Sequence, residues 1–275
     1  ETRHIIAAII QHVTYNEFLP MVLGEDMMKI YGLLLEKEGY FESYDPTVDP
    51  SSSSAFITAA FRFGHSMVPS TIERWSPKHR FIGAQRLSEL LRQPFDLFKG
   101  GWSDQYMSGL VNQVSQGMDE AMSQEVTNHL FQDPMAEFGL DLAALNIQRG
   151  RDHGLPSYND FRQVCGMPRV ASFPHLRRLM PNATAQRFGD IYASVDDFDL
   201  WSGGLGENPL PGSMVGPVFA CLIALQFRDL RFGDRFWYEN GNQLSSFTPG
   251  KFIPSSCQEE MREFSDFSLH FLPVM

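Results

Sequence analysis

The sequence predicts a mainly α-helical fold with long loops and at most one short hairpin. Apolar residues recur at helical spacing along much of the 275-residue chain, whereas alternating strand patterns are scarce. Hydrophobic residues make up 43% of the chain and include 23 Phe, which predicts a large aromatic core. No clear linker divides the sequence, so we expect residues 1–275 to form one domain or part of one.

Two helices are predicted at the start of the chain. Ile5, Ile9 and Val13 repeat every four residues, which is the spacing of one helix face. Pro20 is expected to end this first helix, because proline cannot donate a backbone hydrogen bond inside a helix. The apolar pattern over residues 22–35 predicts the second helix.

The helix that carries His65 is predicted from its two boundaries. Ser51–Ser54 offer side chains that can cap a helix N-terminus, and Pro69 is expected to close the helix. Periodicity predicts further helices over residues 84–91, 106–114, 120–131, 158–165 and 215–230.

Two segments rich in turn-forming residues are predicted as loops, over residues 150–156 and 201–212. Between them, Ser157 is followed by Asp160, which matches a capping box with Asp in place of Glu. This pair predicts that a helix begins directly after Ser157.

The charge of the chain excludes some classes of partner. A formal net charge of −11 makes nucleic acid and anionic membrane surfaces unfavourable partners. No apolar run approaches the roughly 20 residues of a membrane-spanning helix. The chain begins at Glu1 without an initiator Met or a signal peptide, and we interpret this as a missing N-terminal part.

Cysteine usage points away from a structural metal site. The chain has three Cys, with no Cys-x-x-Cys pair and no Cys/His cluster at zinc spacing. In an extracellular protein two of them can pair, leaving one over. The sequon at Asn182, formed with Thr184, fits secretion and makes Asn182 a predicted glycosylation site.

The run Ala60-Phe61-Arg62-Phe63-Gly64-His65 is the strongest chemical signal. On a helix Arg62 and His65 share a face, so a neutral imidazole can bind a metal while the guanidinium binds a carboxylate of the same ligand. Haem offers both partners, an iron and propionates. The simpler alternative is a hydrogen-bonded core histidine beside an arginine whose charge stays in water, which is the commoner case for such a pair taken alone.

The chain resembles the animal haem peroxidases in five blocks that occur in family order. They are residues 11–20 (Gln-His-Val-Thr-Tyr-Asn-Glu-Phe-Leu-Pro), 61–65, 140–159, 200–204 and 226–237. The resemblance implies that this is the C-terminal, proximal part of such a domain. It also implies a peroxidase that uses hydrogen peroxide to oxidise halide or phenolic donors with haem b as cofactor.

The resemblance assigns roles to four residues. His65 matches the proximal axial ligand of the haem iron, and Asn146 matches the residue whose side chain accepts a hydrogen bond from the other ring nitrogen of that histidine. Such an acceptor makes the coordinating nitrogen more electron-donating. Arg62 and Arg149 match arginines on the propionate side. Without the resemblance, Asn146 would be interpreted as a helix cap and Arg149 as part of a charged loop.

The same resemblance implies disulfide partners for the cysteines. Cys165 and Cys221 match a family disulfide, closing a loop of about 56 residues that would stabilise the protein by roughly 4 kcal/mol. Cys257 matches a cysteine whose partner lies beyond Met275. This disulfide and the sequon predict a secreted glycoprotein.

The resemblance places the remaining parts of the reaction centre before Glu1. These are the distal histidine and arginine, the carboxylates that can attach haem covalently, and the calcium-binding loop. His4 and His12 do not match distal residues and are interpreted as ordinary helix residues. We therefore expect no distal catalytic residue within the chain, and little activity from these residues alone.

Two other functions are compatible with parts of the pattern. A secreted adhesion or matrix module could keep the fold without catalysis, although the presence of His65, Asn146 and Arg62 argues against it. A helical interaction protein without cofactor would leave the five ordered blocks unexplained. Fatty-acid dioxygenases and cyclooxygenases belong to the same superfamily. The presence of Phe63 before Gly64 does not separate this chain clearly from those enzymes.

Overall fold

A computed structural model describes residues 2–241 and 243–247 of the chain. Within these residues the α-helices, in chain order, are α1 (Thr2–Val13), α2 (Leu19–Ile30), α3 (Ser54–Thr58), α4 (Leu87–Leu90), α5 (Trp102–Asn112), α6 (Gln124–Thr127), α7 (Leu142–Asp152), α8 (Tyr158–Val164), α9 (Phe173–Leu176), α10 (Asn182–Ile191), α11 (Leu200–Gly206) and α12 (Pro217–Phe232). A π-helix covers Thr14–Phe18, and 3₁₀-helices cover Ala60–His65 and Pro94–Phe98. The prediction of a mainly α-helical fold is confirmed.

The predicted short hairpin is also present. Strand β1 (Thr71–Trp75) pairs antiparallel with β2 (Phe81–Arg86), from Thr71 opposite Arg86 to Trp75 opposite Phe81. The register shifts between Arg74 and Trp75. Helix α5 packs against β1 and covers the hairpin.

The described chain forms two compact units. Unit 1 comprises residues up to Ser53, Pro209–Met214 and the described residues from Ala220 onward, and unit 2 comprises Ser54–Asn208 and Val215–Phe219. The organisation of the whole chain as a single partial domain stays a prediction. None of the described helices is long and apolar enough to span a bilayer.

Unit 1 is built on the two N-terminal helices and the part of α12 from Ala220 onward. Tyr15, Leu19 and Leu23 are buried in its core together with Phe227 and Trp237. Burial of these aromatic and aliphatic side chains is the main stabilising contribution, at roughly 1.5–3 kcal/mol for each large residue.

Pro20 does not end the first helical segment, contrary to the prediction. The backbone stays helical from α1 through the π-helix into α2, where Pro20 occupies the first turn and needs no hydrogen-bond partner for its nitrogen. The break comes instead at Gly24, with φ +76°. A Cβ at Gly24 would lie 2.9 Å from the Gly212 carbonyl oxygen, so only glycine fits this approach. Helix α2 then ends at Ile30 rather than at residue 35.

Unit 2 places the 3₁₀-helix Ala60–His65 beside α11, and Asn146 of α7 reaches its side chains. The predicted single helix around His65 is divided, because α3 ends at Thr58 and Ala59 adopts φ −136° and ψ −68° before the 3₁₀ turn. A 3₁₀-helix has three residues per turn, so Arg62 and His65 still lie one above the other.

Several predicted boundaries were wrong. Residues 84–86 belong to β2, so only Leu87–Leu90 of the predicted helix 84–91 is helical. The predicted helix 120–131 is reduced to α6, whereas the predicted helices near 106–114, 158–165 and 215–230 correspond to α5, α8 and α12. The capping box is confirmed, because Ser157 and Asp160 exchange side-chain to backbone hydrogen bonds.

The predicted loop over residues 201–212 was wrong at its start, because Leu200–Gly206 forms α11. Glycine disfavours helices, but here Gly203 and Gly204 allow close packing. A Cβ at Gly203 would lie 2.4 Å from the Tyr158 ring, and one at Gly204 would lie 2.1 Å from the Phe219 ring. Similarly, α7 extends to Asp152, into the segment predicted as a loop over 150–156.

Candidate functional site

The site is centred on His65 at the end of the 3₁₀-helix Ala60–His65. Ala60 and Phe63 on this helix are buried, and they anchor it in unit 2. The Trp201 indole Nε1–H points to the Arg62 carbonyl oxygen at 3.5 Å, which ties α11 to the same turn. The His65 ring is half-buried, so one part of it faces the protein and another faces open space.

Asn146 approaches His65 from α7. The helix is capped by Asp141, whose side chain accepts hydrogen bonds from the backbone N–H groups of Ala143 and Ala144. The Asn146 residue is 0% exposed. Its Nδ2 lies 2.9 Å from His65 Nδ1, and its Oδ1 accepts a hydrogen bond of 2.9 Å from Arg62. The sequence-based alternative of a helix cap is therefore excluded, because Asn146 lies inside α7 and bridges two side chains.

The direction of the contact between Asn146 and His65 differs from the expected one. The resemblance implies that the ring N–H donates to the amide oxygen, whereas here the amide nitrogen faces the ring. The reason is Arg62, because a guanidinium can only donate and so takes the amide oxygen. In this arrangement Nδ1 accepts, and a neutral His65 carries its proton on Nε2.

The electrostatics of the site keep His65 neutral. Burial lowers the pKa of His65, and the nearby charge of Arg62 lowers it further. A neutral imidazole is the form that binds a metal. The two predicted site residues Arg62 and His65 are thus coupled by charge as well as by Asn146.

Arg149 extends the positive charge of the site. Burial lowers the pKa of Arg62, and the charge of Arg149 contributes to the same shift. Arg62 also donates from Nε to the Ile57 carbonyl oxygen, and Arg149 is exposed on α7. Within the described part of the chain, neither guanidinium forms an ion pair with a carboxylate.

These side chains fit haem as a donor set. His65 Nε2 makes no hydrogen bond to another described residue, and the guanidinium of Arg62, whose pKa is affected by the charge of Arg149, provides with Arg149 two cations for a ligand with two carboxylates. A Cβ added at Gly64 would meet no atom within 4 Å, so there is open space directly before His65.

Sequence reasoning missed a buried polar cluster in unit 2. The Tyr158 hydroxyl donates to Glu207 Oε1 at 2.6 Å, the Val218 backbone N–H donates to Oε2 at 2.8 Å, and Arg162 lies 3.5 Å from Oε1. Burial raises the pKa of Glu207 to about 7. The sequence feature that could have indicated this cluster is Glu207, a glutamate that directly follows the apolar, glycine-rich run of α11.

The remaining predicted residues have the following places. Cys165 and Cys221 are both disulfide-bonded, in agreement with the implied family disulfide, and Cys257 lies outside the described residues. Asn182 is exposed at the start of α10, while the Thr184 hydroxyl of the same sequon donates to Glu120. His4 and His12 lie on α1 in unit 1.

Comparison with known proteins agrees with the resemblance. The chain is 39% identical over 249 residues to thyroid peroxidase of Mus musculus, covering 88% of this chain and 26% of that protein. It is 39% identical over 259 residues to chorion peroxidase of Drosophila melanogaster, covering 94% of this chain and 31% of that protein. The chain therefore spans less than a third of these relatives.

A solved structure gives the same result for the fold. Peroxidase A from Dictyostelium discoideum matches with a TM-score of 0.75 and 33% identity, covering 92% of this chain and 47% of that chain. The family model described as animal haem peroxidase matches residues 1–253. The chain belongs to the animal haem peroxidase family, whose members take their name from the haem group they use.

Proposed function

We propose that this chain forms the proximal haem side of a peroxidase that uses hydrogen peroxide to oxidise small donors such as halides or phenols. The contact that carries the proposal is the 2.9 Å approach of Asn146 Nδ2 to His65 Nδ1, made by a fully buried amide. A histidine that served only as core packing would not need a buried amide shared with an arginine. Family membership supports the proposal.

In this proposal His65 would hold the haem iron through Nε2. Asn146 orients the ring, and an oriented ring loses less freedom when it binds a metal. Bound haem would supply the redox centre at which peroxide is reduced. His65 and Asn146 would hold that centre in place, and Asn146 would control how strongly His65 Nε2 donates electrons to it.

Arg62 and Arg149 are proposed to bind the two propionates. A guanidinium pairs with a carboxylate through two parallel hydrogen bonds, which neutralises the repulsion between the two arginines. When Arg62 engages a carboxylate, Asn146 Oδ1 is released. The amide could then rotate while Nε2 releases its proton to solvent and Nδ1 takes one up, so that Nδ1–H would donate to that oxygen and Nε2 would be free to bind a metal.

We also propose that the protein is secreted. The disulfide-bonded Cys165 and Cys221 suit an oxidising compartment, and the exposed Asn182 is accessible to a glycan. The partner of Cys257, a covalent link to haem and a calcium site stay predictions.

The test is haem binding by the protein, alone and within any longer polypeptide that carries this chain. His65→Ala should weaken haem binding by at least about tenfold and abolish the absorption and paramagnetic resonance signals of an imidazole-bound iron. His175→Ala is the matched control, because His175 is exposed in unit 2 and its ring forms a local hydrogen bond with Ser172. Equal spectra in wild type and His65→Ala would refute the assignment.

A further inference from the structure

A second redox-competent cluster lies in unit 1 and is not part of the site described above. It consists of Tyr15, Trp237, Tyr238 and His12. The Tyr15 ring centroid lies 4.7 Å from that of Trp237, and the Trp237 centroid lies 5.1 Å from that of Tyr238. The Tyr238 hydroxyl lies 3.1 Å from His12 Nδ1. We propose that Tyr238 and His12 form a proton-coupled redox pair, in which Tyr238 is oxidised by one electron while its proton passes to His12.

The chemistry of phenol oxidation is the reason for this proposal. A tyrosine that loses an electron becomes a strong acid, so oxidation is favourable only when a base takes the phenolic proton at the same time. Tyr238 is 6% exposed, which restricts the access of water to its ring and hydroxyl. The imidazole at hydrogen-bond distance can serve as that base, because an acceptor must lie within one hydrogen bond of the proton it takes.

The surroundings favour His12 as a proton acceptor. Burial lowers the pKa of His12, so the ring is neutral and can accept a proton at pH 7. The carboxylates of Glu17 and Glu239 act in the opposite direction and stabilise the imidazolium once it forms. Burial also raises the pKa of Tyr238, so the phenol keeps its proton until an electron is removed.

Tyr15 provides an internal contrast within the same cluster. Its hydroxyl donates to the Phe227 backbone carbonyl oxygen at 2.5 Å, and a carbonyl cannot take a proton at neutral pH. Burial raises the pKa of Tyr15 as well. The two tyrosines are therefore similarly buried, but only Tyr238 has a base to receive its proton.

A small oxidant can reach the cluster through Trp237. A cavity of about 590 Å³ is lined by Tyr15, Trp237, Phe236, Leu230 and other residues of unit 1, a volume that admits a small aromatic molecule. The Trp237 indole N–H donates to Glu239 at 2.8 Å, so a carboxylate stabilises the indole while it is oxidised. Arg231, which lies near the same ring, is neutralised by its ion pair with Glu239.

The proposed step balances with an aryloxyl radical as oxidant, the one-electron product of phenol oxidation. The radical takes one electron from Trp237 and leaves as a phenolate. Trp237 then regains an electron from Tyr238, and the O–H bond of Tyr238 breaks. The products are a neutral tyrosyl radical on Tyr238 and a protonated His12. The pair would act as a site that collects oxidising equivalents from small radicals.

The experiment uses light rather than haem or peroxide, so it is independent of the proposed peroxidase activity. Tris(bipyridine)ruthenium(III), generated by a laser flash with a cobalt(III) quencher, is mixed with the purified protein. The neutral tyrosyl radical is followed by transient absorption and by paramagnetic resonance. We expect the radical to form in wild type with a solvent deuterium isotope effect, since a proton moves in the same step.

Three variants locate the radical and its proton acceptor. Tyr238→Phe should reduce the yield of the neutral radical by at least about tenfold, and His12→Gln should slow its formation by a similar factor while Tyr238 is retained. Tyr44→Phe is the control and should leave both unchanged, because Tyr44 is a half-exposed tyrosine outside the cluster. Circular dichroism checks that each variant is folded.

Two outcomes would overturn the proposal. One is formation of the radical in His12→Gln at the wild-type rate, and the other is an undiminished yield in Tyr238→Phe. If either substitution prevents folding, the wild-type isotope effect decides, because its absence shows that no proton moves with the electron. A protein that forms this radical but fails to bind haem would contradict the proposed function alone.

Discussion

The Asn146 side chain joins His65 to Arg62, with Nδ2 2.9 Å from His65 Nδ1 and Oδ1 accepting from Arg62 at 2.9 Å. Both ends of one amide are therefore used, and each end constrains the other. The orientation of the amide decides which nitrogen of His65 carries the proton. Arg62 is thus connected to the protonation of the two His65 ring nitrogens through a single buried residue.

Asn146→Ala should weaken the site and the fold together. Removal of the amide leaves the His65 ring unheld and removes one of the two hydrogen-bond acceptors of the half-buried Arg62 guanidinium, which costs about 1–3 kcal/mol of unfolding free energy. Loss of an orienting partner of a ligand lowers affinity about 10- to 100-fold, so haem binding should fall in that range. Urea unfolding and a haem titration measure the two effects. Gln148→Ala, an exposed change on the same helix, should leave both unchanged.

Arg62→Gln should raise the pKa of His65. The positive charge of Arg62 is one of the two causes that lower this pKa, and the substitution removes the charge while keeping a hydrogen-bond donor for Asn146. Burial, the larger cause, remains, so the pKa should stay below its ordinary value. A pH titration of the His65 ring by NMR measures the shift. An unchanged or lower pKa in Arg62→Gln would show that the two side chains are not coupled.

Glu207 should make the stability of the protein depend on pH. Burial raises the folded-state pKa of Glu207 to about 7 from an ordinary value of 4.5, so the folded state binds its proton more tightly than the unfolded state. Protonated Glu207 therefore stabilises the folded state. This stabilisation is fully present below pH 4.5, is lost as the pH rises to 7, and amounts to roughly 3 kcal/mol of unfolding free energy at most.

Glu207→Gln removes this titrating group, so the difference in unfolding free energy between pH 5 and pH 7 should become smaller. Urea unfolding at both pH values measures it. Glu25→Gln is the control, because that carboxylate lies on the surface of unit 1 with 81% of its side chain exposed. A variant with the same pH dependence as wild type would contradict the role of Glu207.

Gly204→Ala should destabilise unit 2 severely. The new Cβ would lie 2.1 Å from the Phe219 ring, and the buried phenylalanine cannot move away without disturbing the core. Overpacking of this kind costs about 1–3 kcal/mol or more. Gly150→Ala is a matched change in α7, where the new Cβ would make an ordinary contact of 3.6 Å with Leu155. That control should be neutral or slightly stabilising in a thermal melt, because alanine favours helices.

The sequence by itself determined the helical class, the start of α8 and the identity of His65 as the residue to examine. Each depends on a local pattern: apolar spacing along a helix, the Ser157–Asp160 capping box, and an arginine one turn from a histidine. These patterns depend only on residues that are close together in the sequence, so they can be interpreted without knowing how the chain folds.

Only the tertiary structure decided the helical state of α11 and the direction of the Asn146 amide. The glycines of α11 suggest a loop, but Gly203 and Gly204 are required where Tyr158 and Phe219 approach the helix, and those rings are distant in sequence. The amide is turned by Arg62, a residue 84 positions away. Helix propensity and hydrogen-bond direction are weak local preferences, and contacts made by folding outweigh them.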